Sequence, residues 1–253
     1  MSITAADADV PTLVLDAGTG LTRLSADLRG MPFRGSIVLG HLHWDHTHGI
    51  PFFPAGDNPD AKVTLYQPAQ GDPLEVLAKI IAPPHFPITP HELRGQWDFR
   101  SLDAGFHEIE GFTVEARDIP HTGGRTLGLR VSDGISTIAY LSDHAPIALG
   151  PGPDGEGEFH EAALALADDA DLLIHDAQYT RSEFPARSHF GHSTIDYAIG
   201  LGERAGVGKV VLFHHDPSRT DDQLDAVVAV NQHHTVRVIA AAEGLSLDLR
   251  KRH

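Results

Sequence analysis

The segment His41-Leu-His43-Trp-Asp45-His46 places four side chains of metal-ligand type within six residues, directly after an apolar run at residues 36–39. Alternate side chains of an extended chain share one face, so His41 and His43 can bind one cation as the chain leaves a strand. Where the chain then turns, Asp45 and His46 can face a second cation. A histidine-rich surface loop would not explain the carboxylate. The segment therefore predicts a metal site at the end of a β-strand.

Composition limits what can hold that metal and what the protein can bind. The chain has 253 residues, no Cys, 19 Lys and Arg and 35 Asp and Glu, which gives a formal charge of −16. Without cysteine, disulfides and thiolate sites are excluded, and imidazole and carboxylate must be the ligands. The acidic balance argues against a nucleic-acid backbone as the main partner, because phosphate binding depends on Lys and Arg. A hydrophobic fraction of 41% is enough for a folded core.

Three further residues of ligand type, His121, Asp143 and His214, each come shortly after an apolar run. Loops at the ends of buried strands are where layered folds usually carry functional residues. A single histidine after a strand is ordinarily a hydrogen-bonded structural residue. Three such residues, taken together with the first segment, favour a shared metal site.

Apolar runs of strand length alternate with segments of helical period, as in a layered α/β domain. Strands are predicted at residues 12–15, 36–39, 62–66, 112–116, 127–131, 137–141, 172–175, 210–213, 236–240 and 245–249. Helices are predicted at 73–81, 158–167, 194–205 after Ser193, and 221–231, where Thr220 and Gln223 form a capping box. Ten short strands with this little helix favour two packed sheets. The Gly/Pro-rich residues 150–157 are interpreted as a surface insertion, which gives a single domain over residues 1–253.

The sequence resembles a known superfamily at several motifs. These are Leu15-Asp-Ala-Gly-Thr-Gly20, His41-x-His-x-Asp-His46, His121, Asp143 and His214, and together they look like the metallo-β-lactamase-fold hydrolases. Asp143, Gly191-His-Ser-Thr194, Ile174-His-Asp-Ala-Gln-Tyr-Thr180 and Leu212-Phe-His-His-Asp-Pro217 resemble the branch that contains ribonuclease Z and small-molecule phosphodiesterases. The resemblance runs from about Leu13 to Leu249. It implies an α/β fold, a four-layer αββα sandwich of two mixed β-sheets flanked by helices.

The resemblance also implies a dinuclear site. It assigns His41, His43 and His121 to one metal, Asp45, His46 and His214 to the other, and a bridging position to Asp143. Five neutral imidazoles and two carboxylates suit two Zn²⁺ ions joined by a hydroxide, and Mn²⁺ or Fe²⁺ are also compatible with this ligand set. Such a site keeps a small net positive charge, which suits a small anionic substrate.

The candidate catalytic residues are His192, Asp45 and Asp176. The resemblance places His192 beside the metals, where an imidazole can protonate a leaving oxygen near neutral pH, or it only precedes a helix capped by Ser193. Asp176 either orients His192 or simply ends its strand, and Asp45 is also counted as a ligand.

Other residues are given supporting roles. Asp16 is expected to brace the metal segment, with Gly18 and Gly20 permitting a tight turn. The resemblance favours Asp143 and His214 as ligands over their neighbours His144 and His215. The apolar segments 49–53 and 83–87 are candidates for pocket walls or for core packing.

The predicted function is a metal-dependent hydrolase, with phosphodiesterase action on a small diester, such as a cyclic nucleotide, as the first hypothesis. A lactonase or β-lactamase uses the same nucleophile, and a non-catalytic metal-binding sensory module is a third alternative. Transfer RNA is disfavoured, since ribonuclease Z holds tRNA with a long insertion and no Lys/Arg-rich insertion is visible. DNA is not expected either, and the basic residues 250–252 are interpreted as a solvated end.

The first residues of the chain lead to expectations about cellular location and about oligomer formation. The first residues lack a signal peptide and no apolar run is long enough for a membrane span, so a cytoplasmic protein without membrane contact is expected. The branch usually has a further Gly-rich strand before the motif at Leu15, and only a short segment precedes it here. One sheet edge is therefore expected to be open, shortened or covered, which leaves room for a homo-oligomer.

Overall fold

The computed structural model describes residues 1–249 and divides into two compact units. The first contains residues 1–103, 108–111 and 123–125, and the second contains the rest of the described chain.

The first unit is built on a five-stranded mixed sheet in the order β1-β2-β3-β4-β5. The strands are β1 (Ser2–Ile3), β2 (Leu13–Leu15), β3 (Arg34–Val38), β4 (Lys62–Pro68) and β5 (Gln96–Leu102), and the helices are α1 (Leu21–Asp27), α2 (Trp44–Thr47) and α3 (Pro73–Ala78). Short 3₁₀ helices lie at Ile50–Phe52 and Pro90–Glu92. β1 is antiparallel to β2, and the other pairs are parallel. Ile37, Val63 and Leu65 of the sheet share an apolar core with Leu24 and Leu77 of the helices.

The second unit is built on a seven-stranded mixed sheet in the order β12-β11-β10-β9-β8-β7-β6. Its strands are β6 (Gly105–Ile109), β7 (Phe112–Asp118), β8 (Leu127–Ser132), β9 (Thr137–Leu141), β10 (Leu172–Asp176), β11 (Lys209–Phe213) and β12 (Arg237–Ala240). Its helices are α4 (Glu161–Ala167), α5 (Phe184–Arg187), α6 (Ile195–Arg204) and α7 (Asp221–Val230), with 3₁₀ helices at Pro146–Leu149 and Ser188–Phe190. β9, β10, β11 and β12 are mutually parallel, while β8 is antiparallel to both its neighbours. Leu141, Leu173 and Val210 pack with Leu166 and Leu201 in its core.

The predicted fold class, two mixed β-sheets flanked by helices, is confirmed. Nine predicted strands and all four predicted helices form within a few residues of their expected bounds. The strand predicted at residues 245–249 is wrong. A turn joins Leu245 N–H to the Ala242 carbonyl just after β12, Leu245 is exposed, and residues 245–249 form no strand. Residues 150–157 lie inside the second unit as a loop with four glycines at positive φ.

The sequence did not predict strands β1, β5 and β6. β5 has no β-branched residue, and its strand conformation depends on pairing along the whole of β4. β1 pairs with β2 through Ile3 and Leu13, which gives the five-stranded sheet a two-residue edge strand. An oligomer formed through that edge stays a prediction.

Among residues 1–249, no helix combines the length and the apolar character that a membrane crossing requires. The cytoplasmic location stays a prediction of the sequence, and the predicted solvated basic end at residues 250–252 lies outside the described residues.

Candidate metal centre

The histidine-rich segment after β3 forms a compact cluster within the first unit. The ring centroid of His41 lies 4.5 Å from that of His43 and 4.2 Å from that of His46. His46 Nε2 lies 3.2 Å from Asp45 Oδ2. His43 is extended and caps the start of α2, so the chain turns between the first two and the last two of these residues. The segment has the extended-then-turned shape that its spacing predicts.

Asp16 braces this segment, as predicted. Its Oδ2 lies 2.7 Å from His46 Nδ1, and its Oδ1 accepts a hydrogen bond from the Gly40 amide at 2.7 Å. Burial disfavours the charged carboxylate, but the charge of His46, its hydrogen bond, the charge of His41 and the Gly40 amide outweigh burial and lower the pKa of Asp16 to about 2. An ionised Asp16 accepts the Nδ1 proton of His46, which leaves the Nε2 lone pair available to a cation.

Glycine is required where the Asp16 turn meets α2. A Cβ atom at Gly18 would collide with the Asp45 carbonyl oxygen, and one at Gly49 would collide with the Gly18 carbonyl oxygen. Two backbone hydrogen bonds, from Ala17 N–H to His46 O and from Gly49 N–H to Ala17 O, are each 2.8 Å long. Gly20 has open space around its Cβ position and a negative φ, so neither close approach nor backbone conformation requires glycine there.

In the second unit, four strands deliver polar side chains to one edge of the seven-stranded sheet. β7, β9, β10 and β11 run in the same direction, because β8 is antiparallel to both β7 and β9. Side chains that follow the carboxyl ends of such strands converge, which is the usual position of a site on an open sheet. The residues delivered there are His121, Asp143, Asp176 and His214.

Asp143 lies at the centre of this group and is buried. Its Oδ2 is 3.4 Å from His214 Nε2, 3.6 Å from His121 Nε2 and 3.8 Å from His192 Nδ1. On the far side of its ring, His121 Nδ1 donates to the Gly191 carbonyl at 2.7 Å, which directs Nε2 towards Asp143. A carboxylate flanked by two imidazoles is a donor set that suits a divalent cation, and the bridging role of Asp143 stays a prediction.

His192 is hydrogen-bonded to Asp176. His192 Nδ1 lies 2.9 Å from Asp176 Oδ2. Asp176 is completely buried and also accepts hydrogen bonds from the backbone amides of His144 and Gln178 at 3.1 and 3.2 Å. The His192 ring stacks on His214 with centroids 4.8 Å apart. Ligand atoms of Asp176, His192 and His214 all lie within 4.8 Å of one another, so the same three residues could also hold a cation.

The residues after His192 secure its position, although not in the predicted way. Thr194, rather than Ser193, caps helix α6 by accepting the Tyr197 amide at 2.9 Å, so the capping role predicted for Ser193 is wrong. Ser193 is completely buried and donates to the His144 carbonyl at 2.7 Å. The cap moves one residue because Ser193 is bound to the loop after β9. His192 is therefore followed directly by two residues whose side chains are hydrogen-bonded.

His144 and His215, the neighbours of two predicted ligands, make contacts of their own. His144 Nδ1 lies 3.0 Å from His175 Nε2, and His175 Nδ1 donates to the Asp176 carbonyl at 2.6 Å. Burial, followed by the charges of nearby histidines, holds the pKa of His144 well below its usual value, and burial likewise lowers the pKa of His175. His215 Nε2 contacts the Ala241 carbonyl at 3.2 Å. The choice of Asp143 and His214 as ligands over these neighbours stays a prediction.

Gln178 is a supporting residue that the sequence did not predict. Its amide lies 2.9 Å from His214 Nδ1, and His214 has a left-handed backbone with φ of 52°. The two ends of a glutamine amide are interchangeable, so Oε1 can accept the Nδ1 proton and leave Nε2 available to a cation. The signal was present in Ile174-His-Asp-Ala-Gln-Tyr-Thr180, where Gln178 follows Asp176 by two residues.

The donors of each unit fit divalent metal ions. His46, His121 and His214 each have a hydrogen-bonding partner at Nδ1, namely Asp16, the Gly191 carbonyl and Gln178. Orientation of this kind through the second ring nitrogen is typical of histidines that bind metals. The donor chemistry, imidazole with carboxylate, implies divalent metal ions.

Comparison with known proteins agrees with this chemistry. The family model of the beta-lactamase superfamily domain matches residues 12–215, so the chain belongs to that superfamily. Ribonuclease Z from Prochlorococcus marinus is 29% identical over 247 residues, covering 81% of this chain and 76% of that protein. The short form of human tRNase Z has a TM-score of 0.67 at 17% identity, covering 98% of this chain and 91% of that one. A diphosphatase of the PhnP family has a TM-score of 0.64 at 18% identity, covering 93% and 79%.

These similarities define the class of protein. The chain belongs to the beta-lactamase superfamily and has the metallo-β-lactamase fold, and its similar sequences include proteins named ribonuclease Z. It is a metal-dependent hydrolase, which confirms the enzyme class that the sequence predicts.

Proposed function

We propose that the protein is a dinuclear metal-dependent phosphodiesterase that acts on a small phosphodiester, with cyclic nucleotides among the candidate substrates. The observation that carries the proposal is the hydrogen bond between the buried Asp176 and the half-buried His192, beside Asp143. Hydrolysis of an alkyl diester requires both an activated water and a proton for the leaving alkoxide, and His192 can supply that proton.

The proposed ligands are those assigned by the resemblance, namely His41, His43 and His121 for one ion, Asp45, His46 and His214 for the other, and Asp143 shared. Zn²⁺ is the proposed metal, because imidazole-rich sets without thiolate suit it. When bound, two such ions supply an activated water and positive charge for the phosphoryl oxygens.

His192 has a defined protonation geometry in this proposal. Its Nδ1–H donates to Asp176, so Nε2 is the nitrogen that can protonate the leaving oxygen. The Asp176 carboxylate accepts this hydrogen bond and holds the ring in place, as buried carboxylates beside catalytic histidines do. Asp176 is thus a positioning residue, and His192 is the proposed catalytic acid.

A turnover panel tests the proposal directly. Protein purified without chelator should contain close to two equivalents of transition metal, measured by elemental analysis. It should hydrolyse a cyclic or dialkyl phosphodiester faster than a lactone or a β-lactam at equal concentration. Preference for the lactone or the lactam would favour the alternative hydrolase classes. Full activity with one equivalent of metal would contradict the dinuclear mechanism.

RNA processing is the second candidate, because the curated relatives are named ribonuclease Z and one structural neighbour is a tRNase Z. Against it stand the formal charge of −16 and the 21 residues between His121 and Asp143, which are filled by β8 and β9. We expect weak tRNA binding even at low salt, where phosphate contacts are strongest. Tight, salt-sensitive binding with cleavage near a 3′ end would favour the RNA-processing function.

A further inference from the structure

A groove of about 430 Å³ lies on the five-stranded sheet, and all of its lining residues belong to the first unit. We call it the strand-start groove, because it lies where β3, β4 and β5 begin. A cavity of this volume falls within the range of about 300–1,000 Å³ that is usual for small-molecule sites. The polar side chains that determine its chemistry are those of Arg34, Lys62, Thr64, Gln96, Asp98 and Glu110.

The groove and the histidine-rich segment lie at opposite ends of β3. Arg34 is the first residue of β3, whereas His41 follows its last residue, Val38, by three positions. A strand rises about 3.3 Å per residue, so the Cα atoms of Arg34 and Val38 are about 13 Å apart. The groove is therefore a separate place in the first unit, and what it binds does not depend on the proposed function.

The register of the sheet places two cations side by side in the groove. Arg34 and Lys62 are Cα partners in the parallel pairing of β3 with β4, and Lys62 is in turn the Cα partner of Gln96. Such partners point to the same face of a sheet from strands about 4.8 Å apart. Val63, the next residue after Lys62, points to the opposite face and packs in the apolar core of the unit.

Neither of these cations is neutralised by a carboxylate. Among residues 1–249, Arg34 and Lys62 form no ion pair, although the chain has 35 Asp and Glu against 19 Lys and Arg. Like charges on neighbouring strands repel each other, and the arrangement costs stability as long as no anion lies between them. An unneutralised pair of cations in an acidic chain therefore indicates an anionic ligand.

The carboxylates that also line the groove already have partners. Arg100 contacts Asp98 Oδ2 through Nε at 2.7 Å and through Nη2 at 2.6 Å. The hydroxyl of the buried Ser36 donates to Glu110 Oε1 at 2.7 Å. Once Arg100 is set against Asp98, two cations and one carboxylate remain, so the net charge of the groove is positive. Glu110 is then the group that opposes the binding of an anion.

We infer that the strand-start groove binds a small molecule through a phosphate-type oxyanion. Arg34 offers the planar N–H donors of its guanidinium, Lys62 the donors of its ammonium group, and Thr64 a hydroxyl. Two adjacent cations favour a doubly charged group, such as a phosphomonoester, over a singly charged carboxylate. The volume of the groove leaves room for the remainder of a small molecule beside the oxyanion.

Titration of the metal-loaded, ¹⁵N-labelled protein with inorganic phosphate, followed by NMR, tests the inference. The amide signals of residues 34–35, 62–64 and 96–98 should shift in a saturable way. Phosphate bound at the candidate metal centre would instead shift signals of the histidine-rich segment. Acetate at the same ionic strength should bind the groove more weakly. Groove shifts that grow linearly with phosphate concentration, as general screening produces, or equal binding of acetate would overturn the inference.

Charge variants with opposite expected effects sharpen this test. Arg34→Gln and Lys62→Gln should each raise the Kd of the groove for phosphate by about 2- to 5-fold, the usual value of one accessible ion pair. Glu110→Gln keeps a side-chain oxygen as acceptor and removes the repulsion, so it should lower the Kd. Lys79→Gln removes the same charge from the exposed end of α3 and should leave the Kd unchanged. An equal rise in Lys79→Gln would assign the effect to net charge and overturn the site.

Thermal unfolding provides a second measurement that involves no hydrolysis. In low-salt buffer without polyvalent anions, Lys62→Gln should unfold at the wild-type temperature or above it, because it removes the repulsion with Arg34. Added phosphate should then raise the unfolding temperature of the wild type more than that of Lys62→Gln, and equally in the wild type and Lys79→Gln. A lower stability of Lys62→Gln without phosphate would give Lys62 a structural role and contradict the inference. A protein that hydrolyses no phosphodiester can still bind phosphate in the groove, so failure of the proposed function is distinguishable from failure of this site.

Discussion

The predicted ligands come from two regions that are organised in different ways. The first region, from His41 to His46, is one short segment in which four ligand-type side chains are neighbours along the chain. The second brings together His121, Asp143 and His214 from the ends of separate strands. The first region owes its shape to local geometry, while the second exists only because the three strands that carry its residues run in the same direction. Supporting contacts differ accordingly: a charged carboxylate, Asp16, braces the first, and neutral groups, Gln178 and the Gly191 carbonyl, brace the second.

Asp143→Ala is the change with the largest expected effect. If Asp143 bridges two ions, its removal should reduce bound metal well below one equivalent and reduce hydrolysis to background. Elemental analysis and turnover of a cyclic diester measure both quantities, and a thermal melt checks folding. Retention of one full equivalent of metal would mean that the first region binds its metal independently of Asp143. The assignment of Asp143 as a bridging ligand would then fail.

His192→Ala tests a residue that lies beside the second region and is proposed to act without binding metal. Both ions should remain, while kcat for an alkoxide leaving group falls by about 10²- to 10⁴-fold, the usual contribution of general acid catalysis. A nitrophenolate needs little protonation, so an aryl diester should suffer much less. Equal losses on both substrates would assign His192 to positioning of the diester. Loss of metal would make it a ligand, as its closeness to Asp176 and His214 permits.

Effects of intermediate size are expected from the residues that hydrogen-bond to the ligand-type histidines. Asp16→Ala and Gln178→Ala each remove the partner of a ligand-type histidine, and each should weaken metal affinity by about 10- to 100-fold. Asp16→Ala should have the larger effect, because it removes a buried charge and a hydrogen bond to the Gly40 amide as well. Competition with a chelator measures the affinities, with Gln232→Ala as the control for a glutamine remote from the ligands in sequence. A larger loss of metal affinity in Gln178→Ala would mean that the second region depends more on its supporting residue than the first region does.

The smallest expected effect concerns the turn at Gly18, which packs against the first region. Gly18→Ala should lower the free energy of unfolding by about 1–3 kcal/mol, the usual range for overpacking, because its Cβ would meet the Asp45 carbonyl oxygen. Gly20→Ala, where the space is open, serves as the matched control and should change the free energy by less than about 0.5 kcal/mol, typical of surface positions. Denaturant unfolding measures both. Equal losses would mean that helix capping, and not close approach, requires glycine in this loop.

The sequence alone determined what depends on short-range geometry and on composition. The spacing of His41, His43, Asp45 and His46 was enough to predict an extended ligand pair followed by a turn, because side-chain direction in a strand and at a helix start follows from local backbone geometry. The same holds for most strands and for the capping box at Thr220, which forms as predicted. The absence of cysteine restricts the ligands to imidazole and carboxylate, whatever the fold.

Tertiary structure decided what depends on residues far apart in the chain. Sequence reasoning left open whether Asp176 orients His192, and it missed Gln178, because both contacts join loops that only the strand order of the sheet brings together. It placed the helix cap at Ser193, whose hydroxyl is instead bound to the loop after β9, so that Thr194 forms the cap. It also left open whether residues 49–53 pack in the core or line a pocket, whereas the structure buries Phe53 and exposes Phe52. Periodicity shows which residues share a face, but only packing determines which face meets the core and which meets a ligand.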